Sequence, residues 1–128
     1  MRVWENVLQM SNDLSSVFAM ALEHKINGRY SEAEVGFKTV IESAPSHAEA
    51  HHELGLVYSF QVLIDESLLE LETAVRLDPQ SITYQLSLAK TLTMFGEFDR
   101  AKSLFAQILD VDPFNDEASK NMDYLRSV

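Results

Sequence analysis

The prolines of this 128-residue chain stand at Pro45, Pro79 and Pro113, each thirty-four residues after the one before. A proline cannot continue a helix, and the residue before it is pushed out of the helical region. Three helix stops are therefore set at one fixed interval. Other positions keep the same phase. Small residues recur at Ala21, Gly55 and Ala89 and again at Ala33, Ser67 and Ala101. Large ones recur at Met20, Leu54 and Leu88, at Tyr30, Ile64 and Phe98, and at Phe37, Leu71 and Phe105. The clearest copy runs from Ile82 to Asn115: an apolar-periodic run, a glycine turn, a second such run and an Asp-Pro stop. Self-similarity of this period marks a stacked array of helix pairs, in which each unit buries its apolar stripe only against its neighbours.

The chain fits one domain, and 46% hydrophobic residues suffice for a packed core. The net charge of −10 repels nucleic-acid phosphates, so a nucleic-acid partner is not expected. With no cysteine there is neither a disulfide nor a thiolate metal site. The first ten residues, MRVWENVLQM, lack the sustained apolar core of a secretory signal, and no stretch reaches the roughly 20 apolar residues of a membrane span. A cytoplasmic protein is the expectation.

Periodicity and cap signals predict eight helices and no strands. Residues 1–12 read as a short N-terminal helix with Trp4, Val7, Leu8 and Met10 on its apolar side, ended by Ser11, Asn12 and Asp13. It would cover the first repeat. Three units then follow at 14–47, 48–81 and 82–115, and a capping helix at 116–128 offers Ala118, Met122 and Leu125. Val17, Met20, Ala21 and His24 form the expected inner stripe of the first unit, and His51, Leu54, Gly55 and Tyr58 that of the second. Ser31 with Glu34, and Ser46 with Glu49, have capping-box spacing, and Asp65 is a further cap candidate. Asn27-Gly28 and Gly96 suit tight turns. Val62 stands in the equivalent place, so Val62 and Leu63 are expected at an exposed edge, with Ile64 facing inward.

Chemistry finds little purchase. His47 and His51 share a helical face, but no third ligand is placed by spacing, so no metal is expected. The acidic residues fall on solvent faces and helix ends rather than as a facing pair, and DVDPFND lacks the glycine and bidentate glutamate of a calcium loop. No glycine-rich phosphate loop and no nucleophile elbow is present. No residue is a candidate for catalysis or for holding a cofactor.

The pattern resembles the tetratricopeptide repeat family, whose unit is a 34-residue helix–turn–helix with small residues at the helix crossing and a proline near its end. The resemblance covers Leu14 to Asn115 and implies an all-α solenoid of antiparallel helix pairs closed by a C-terminal helix. It also implies a concave wall built from one face of each unit's first helix. Aligned to that face are Phe18, Leu22 and Lys25, then Glu49, His52, Glu53, Leu56 and Phe60, then Leu86, Lys90 and Met94. Phe18, Leu22, Leu56, Phe60, Leu86 and Met94 would form an exposed apolar strip. Family members that take acidic chaperone tails clamp the terminal carboxylates with Lys, Asn and Arg. The matching positions here are Phe18, Leu22, Glu53, Thr83 and Ser87, which supply no clamp. The implied function is a non-enzymatic scaffold or adaptor binding a peptide or amphipathic helix of a protein partner in its groove. The alternatives are self-association into a homo-oligomer and the recognition part of a larger enzyme.

Overall fold

A computed structural model describes residues 3–128, with side chains from residue 13 onward. It holds seven helices: α1 Val3–Ile26, α2 Tyr30–Ser43, α3 Ala48–Phe60, α4 Ile64–Leu77, α5 Ile82–Met94, α6 Phe98–Val111 and α7 Asp116–Arg126. No strand occurs among the described residues. The eighth helix expected over residues 1–12 is not separate: α1 runs unbroken through Ser11, Asn12 and Asp13. Polar residues with cap character stop a helix only where the backbone turns away, and here it does not. The packing expected of Trp4, Val7, Leu8 and Met10 lies outside the described residues.

The three prolines act as the spacing requires. The residues before them, Ala44, Asp78 and Asp112, leave the helical region at φ near −137, −137 and −131°, and each closes its helix by donating its N–H to the carbonyl four residues back. The next helix in each case begins behind a side-chain cap, His47, Ser81 or Asn115, which accepts the N–H of Ala50, Tyr84 or Ala118. Ser46 is therefore not the cap; its neighbour His47 is. The turns inside the pairs work differently. Arg29, Leu63 and Glu97 precede α2, α4 and α6 without any side-chain cap, so neither Ser31 nor Asp65 serves as one. Those turns instead pass through a left-handed residue: Gly28 at φ +75°, Val62 at +59° and Gly96 at +83°.

Each helix packs on those before and after it in sequence. In addition α1 approaches α3, α3 approaches α5 and α5 approaches α7 backbone to backbone, whereas the backbones of α2, α4 and α6 stay farther apart, with Arg100 of α6 reaching across to the Glu72 carboxylate of α4. Helices in contact on one side and splayed on the other bend the stack, which puts α1, α3 and α5 on the concave wall. The crossings are close because they are made by small residues. A Cβ at Gly55 would lie 2.7 Å from Cγ of Leu71, and one at Gly36 would lie 2.7 Å from Cβ of Ala21.

Two apolar cores result. Ala21, Ala33, Phe37, Leu54, Val57 and Tyr58 join the first two pairs, while Leu71, Leu88, Leu92, Phe105, Ile108 and Leu125 belong to the core that joins the second pair to the third and α7. Ala118, Met122 and Leu125 close the array on α6, as their spacing predicts. His51 is buried, with Nδ1 2.6 Å from the Glu70 carboxylate and Nε2 donating to the Pro45 carbonyl at 2.8 Å. Two expected inner residues face out instead: Met20 is 58% exposed and Ile64 42%.

Candidate functional site

The concave wall starts from helix phase. On α3, Leu54 and Gly55 point into the helix pairs, and one step round the helix lie Leu56, His52 and Phe60. That step is about 100°, enough to bring these residues onto the rim of the core or out of it altogether.

The structure divides the eleven expected wall residues into three groups. Leu56, Phe60, Lys90 and Met94 come together with Ser59, Ser87 and Thr91 around a hollow of about 330 Å³ between α3 and α5. Leu56 rests partly against the core, but Phe60 is 54% and Met94 58% exposed. Phe60 is held from one side by Tyr30, ring centres 5.6 Å apart. Lys90 stands at the rim and donates to the carboxylate of Glu117 on α7.

The second group has been absorbed into packing. Phe18 meets Phe37 edge-on at 5.6 Å and His47 at 5.1 Å, and Leu22 packs on the same core. Leu86 packs on the other core. His52, expected on the wall, is buried. Its Nε2 lies 2.7 Å from the Ser87 hydroxyl and its ring stacks on Tyr84 at 4.8 Å, so it joins α3 to α5. The apolar strip is thus shorter than the sequence suggests. Phe18, Leu22 and Leu86 touch the junctions between successive helices, which the register of single helices does not show.

The third group is charged. Lys25 on α1 donates to Glu53 on α3, across the seam between two units. Burial pushes the Glu53 carboxyl up, but the His52 ring beside it, with Nδ1 3.7 Å away, and the Lys25 ammonium that donates to it outweigh this and hold it below the ordinary glutamate range. Glu49, at the start of α3, is exposed beside a separate hollow of about 250 Å³ that Phe18 and His47 also line. Both lysines of the wall are therefore occupied by carboxylates of the chain itself. Ser59 and Thr91, which help line the hollow, carried no signal in the repeat register; both are buried polar residues.

Among the described residues no cluster of His, Asp or Glu has the arrangement of a metal site, and no helix is long and apolar enough to cross a membrane.

No protein-family model and no curated protein sequence matches the chain. Solved structures do resemble it. The first TPR of Spaghetti, bound to the HSP90 peptide SRMEEVD, superposes with a TM-score of 0.83 at 14% identity, over 91% of this chain and 93% of that one. The second TPR domain of human RPAP3, in complex with the HSP70 peptide SGPTIEEVD, gives 0.79 at 18% identity, over 87% and 92%. A Thermobaculum terrenum O-GlcNAc transferase mutant gives 0.78 at 23% identity; the match takes in 90% of this chain but only 22% of the transferase. These likenesses establish the architecture: an all-helical, tetratricopeptide-type α-solenoid.

Proposed function

We propose that the chain is a protein-interaction module that binds an amphipathic helix of a protein partner against the α3–α5 hollow. The observation that carries this reading is the exposure of Phe60 and Met94 at one concave site, over a floor supplied by Leu56. Large apolar side chains left uncovered together in a concavity are the usual mark of a binding surface. The Tyr30 contact holds Phe60 in place, which lowers the entropy cost of using it as an anchor.

The charges favour a helix over an acidic tail. The structurally similar TPR domains hold peptides ending in EEVD. Here Lys25 is committed to Glu53 and Lys90 to Glu117, and the clamp positions Phe18, Leu22, Glu53, Thr83 and Ser87 carry no cation. A terminal carboxylate would meet Glu53 rather than a positive group. An apolar helix face would lie over Leu56, Phe60 and Met94, with its polar groups meeting Ser59, Ser87 and Lys90 at the margins. The net charge of −10 steers a basic or mixed-charge partner towards the surface.

The reading is tested by selecting helical peptides from a displayed random library on the folded chain, then titrating a selected peptide into isotope-labelled protein. Amide shifts should concentrate on the second halves of α3 and α5. Selected peptides that all shift other surfaces, or that all require a free C-terminal carboxylate, would contradict it.

A further inference from the structure

The apolar surface at the α3–α5 hollow does not end at Phe60. Phe60 is the last residue of α3, and the turn into α4 carries Val62 and Leu63, both exposed. Two residues span at most about 7 Å, so Val62 lies at the mouth of the hollow. The turn is tied down by the end of α3. Gln61 donates its N–H to the Tyr58 carbonyl at 3.1 Å, Val62 to Ser59 at 3.0 Å and Leu63 to Tyr58 at 2.9 Å. The two apolar side chains are therefore presented on a fixed backbone, which lowers the entropy cost of a contact made there.

Val62 is also strained. Among the described residues it is the one left-handed residue other than glycine, at φ +59° where the other helix pairs use Gly28 and Gly96. A β-branched side chain is poorly suited to that region. Because the side chain is exposed, burial within the fold does not offset the strain. Strain that the fold itself does not offset is characteristic of positions that act on another molecule.

The charges around the turn narrow the occupant. Asp65 and Glu66 open α4 directly after it, and both are exposed. The pairs are antiparallel, so the α5–α6 turn lies on the same edge, and there Glu97 and Asp99 are exposed as well. Arg100, beside them, is already paired with Glu72 of α4. The edge is thus apolar and acidic, which repels an anionic lipid surface or an acidic segment and attracts a basic one.

We propose that the partner helix seated on Phe60 and Met94 continues over the α3–α4 turn, with an apolar side chain on Val62 and Leu63 and a basic one beside Asp65 and Glu66. The inference rests on the concave-hollow reading and gives the partner a length and a polarity. One further helical turn, about 5.4 Å, carries an apolar stripe from Phe60 to Val62. The partner is then an amphipathic helix with a lysine or arginine just beyond the end of its apolar stripe.

The probe is a helical peptide of about 20 residues, roughly 30 Å long, selected on the whole chain from the displayed library. Val62→Thr keeps the branched shape and the left-handed turn but adds a hydroxyl, and should raise the Kd a few-fold. Val62→Gly/Leu63→Ser removes both apolar side chains and should raise it about ten-fold with helicity unchanged. Asp65→Asn/Glu66→Gln should weaken binding mainly at low salt. Amide shifts at residues 61–64, on titrating the peptide into the wild-type chain, report the contact without any substitution. Unshifted amides there would overturn the extension. So would wild-type affinity in Val62→Gly/Leu63→Ser while Phe60→Ala/Met94→Ala loses binding, and the hollow reading would then still stand. Wild-type affinity in Phe60→Ala/Met94→Ala would remove the hollow itself, and the extension with it. A doubled mass of the chain in solution that Val62→Gly/Leu63→Ser abolishes would give the turn to a second copy, and would also overturn the proposal.

Discussion

Lys25 on α1 and Glu53 on α3 form an ion pair across the seam between the first two helix pairs, with side chains only 18% and 13% exposed. The pair joins successive units on the side where α1 and α3 touch, and it takes a lysine out of the concave wall. Its influence on stability has a definite sign. Glu53 is burdened by burial but held below the ordinary glutamate range by His52 and Lys25. A carboxyl lowered in the folded state contributes stability above its unfolded pKa, about 4.3, and loses it as the pH falls through the folded value. Glu53→Gln should therefore lower the urea midpoint at pH 7 and flatten its decline below that pH range. Parallel acid profiles for variant and wild type would mean that the carboxylate contributes nothing specific.

Gly55 has no room for a side chain. A Cβ there meets Cγ of Leu71 at 2.7 Å and the Leu71 backbone nitrogen at 3.1 Å, and the Ser67 hydroxyl already donates to the Gly55 carbonyl at 2.8 Å. Gly55→Leu should overpack this crossing and cost on the order of 1–3 kcal/mol. Urea unfolding followed by circular dichroism measures it, and an unchanged midpoint would place the crossing elsewhere.

Val62 holds φ at +59° in a turn where the other two pairs use glycine. Left-handed backbone costs an L-residue roughly 1–2 kcal/mol, and a β-branched one is the least suited to it. Val62→Gly should relieve this, less the roughly 0.4–1 kcal/mol that glycine adds in unfolded-chain entropy. Val62 is 67% exposed, so little packing is lost. A net gain of about 0.5–1 kcal/mol is expected in thermal or urea unfolding. A destabilised variant would show that the Val62 side chain makes a contact that outweighs the strain.

The fold was legible because its determinants repeat. Proline ends three helices by local sterics, and small residues mark three crossings by the contact they permit, so each signal appears three times in phase. Signals that depend on where the backbone goes were less legible. Ser11-Asn12-Asp13 has cap character but lies inside α1, and Ser31 and Asp65 enter their helices after left-handed turns that leave no cap position for them. The candidate site was half legible. Leu56, Phe60, Lys90 and Met94 follow from helix phase, whereas the withdrawal of His52 onto Ser87 and Tyr84 depends on how closely α5 approaches α3. That distance is set by packing between units, and no single helix encodes it.

The most direct test of the proposed binding surface is the affinity of a peptide selected on the wild-type chain, measured on Phe60→Ala/Met94→Ala and on Lys90→Ala. Both anchors are more than half exposed, so the double variant should keep the wild-type unfolding free energy to within about 1 kcal/mol. Losing central anchors typically costs about 2 kcal/mol or more, so its Kd should rise roughly thirty-fold. Lys90→Ala, a rim charge already shared with Glu117, should raise the Kd only a few-fold and mainly at low salt. Equal affinity for the wild type and the folded Phe60→Ala/Met94→Ala variant would contradict the account, and would move recognition off the concave face.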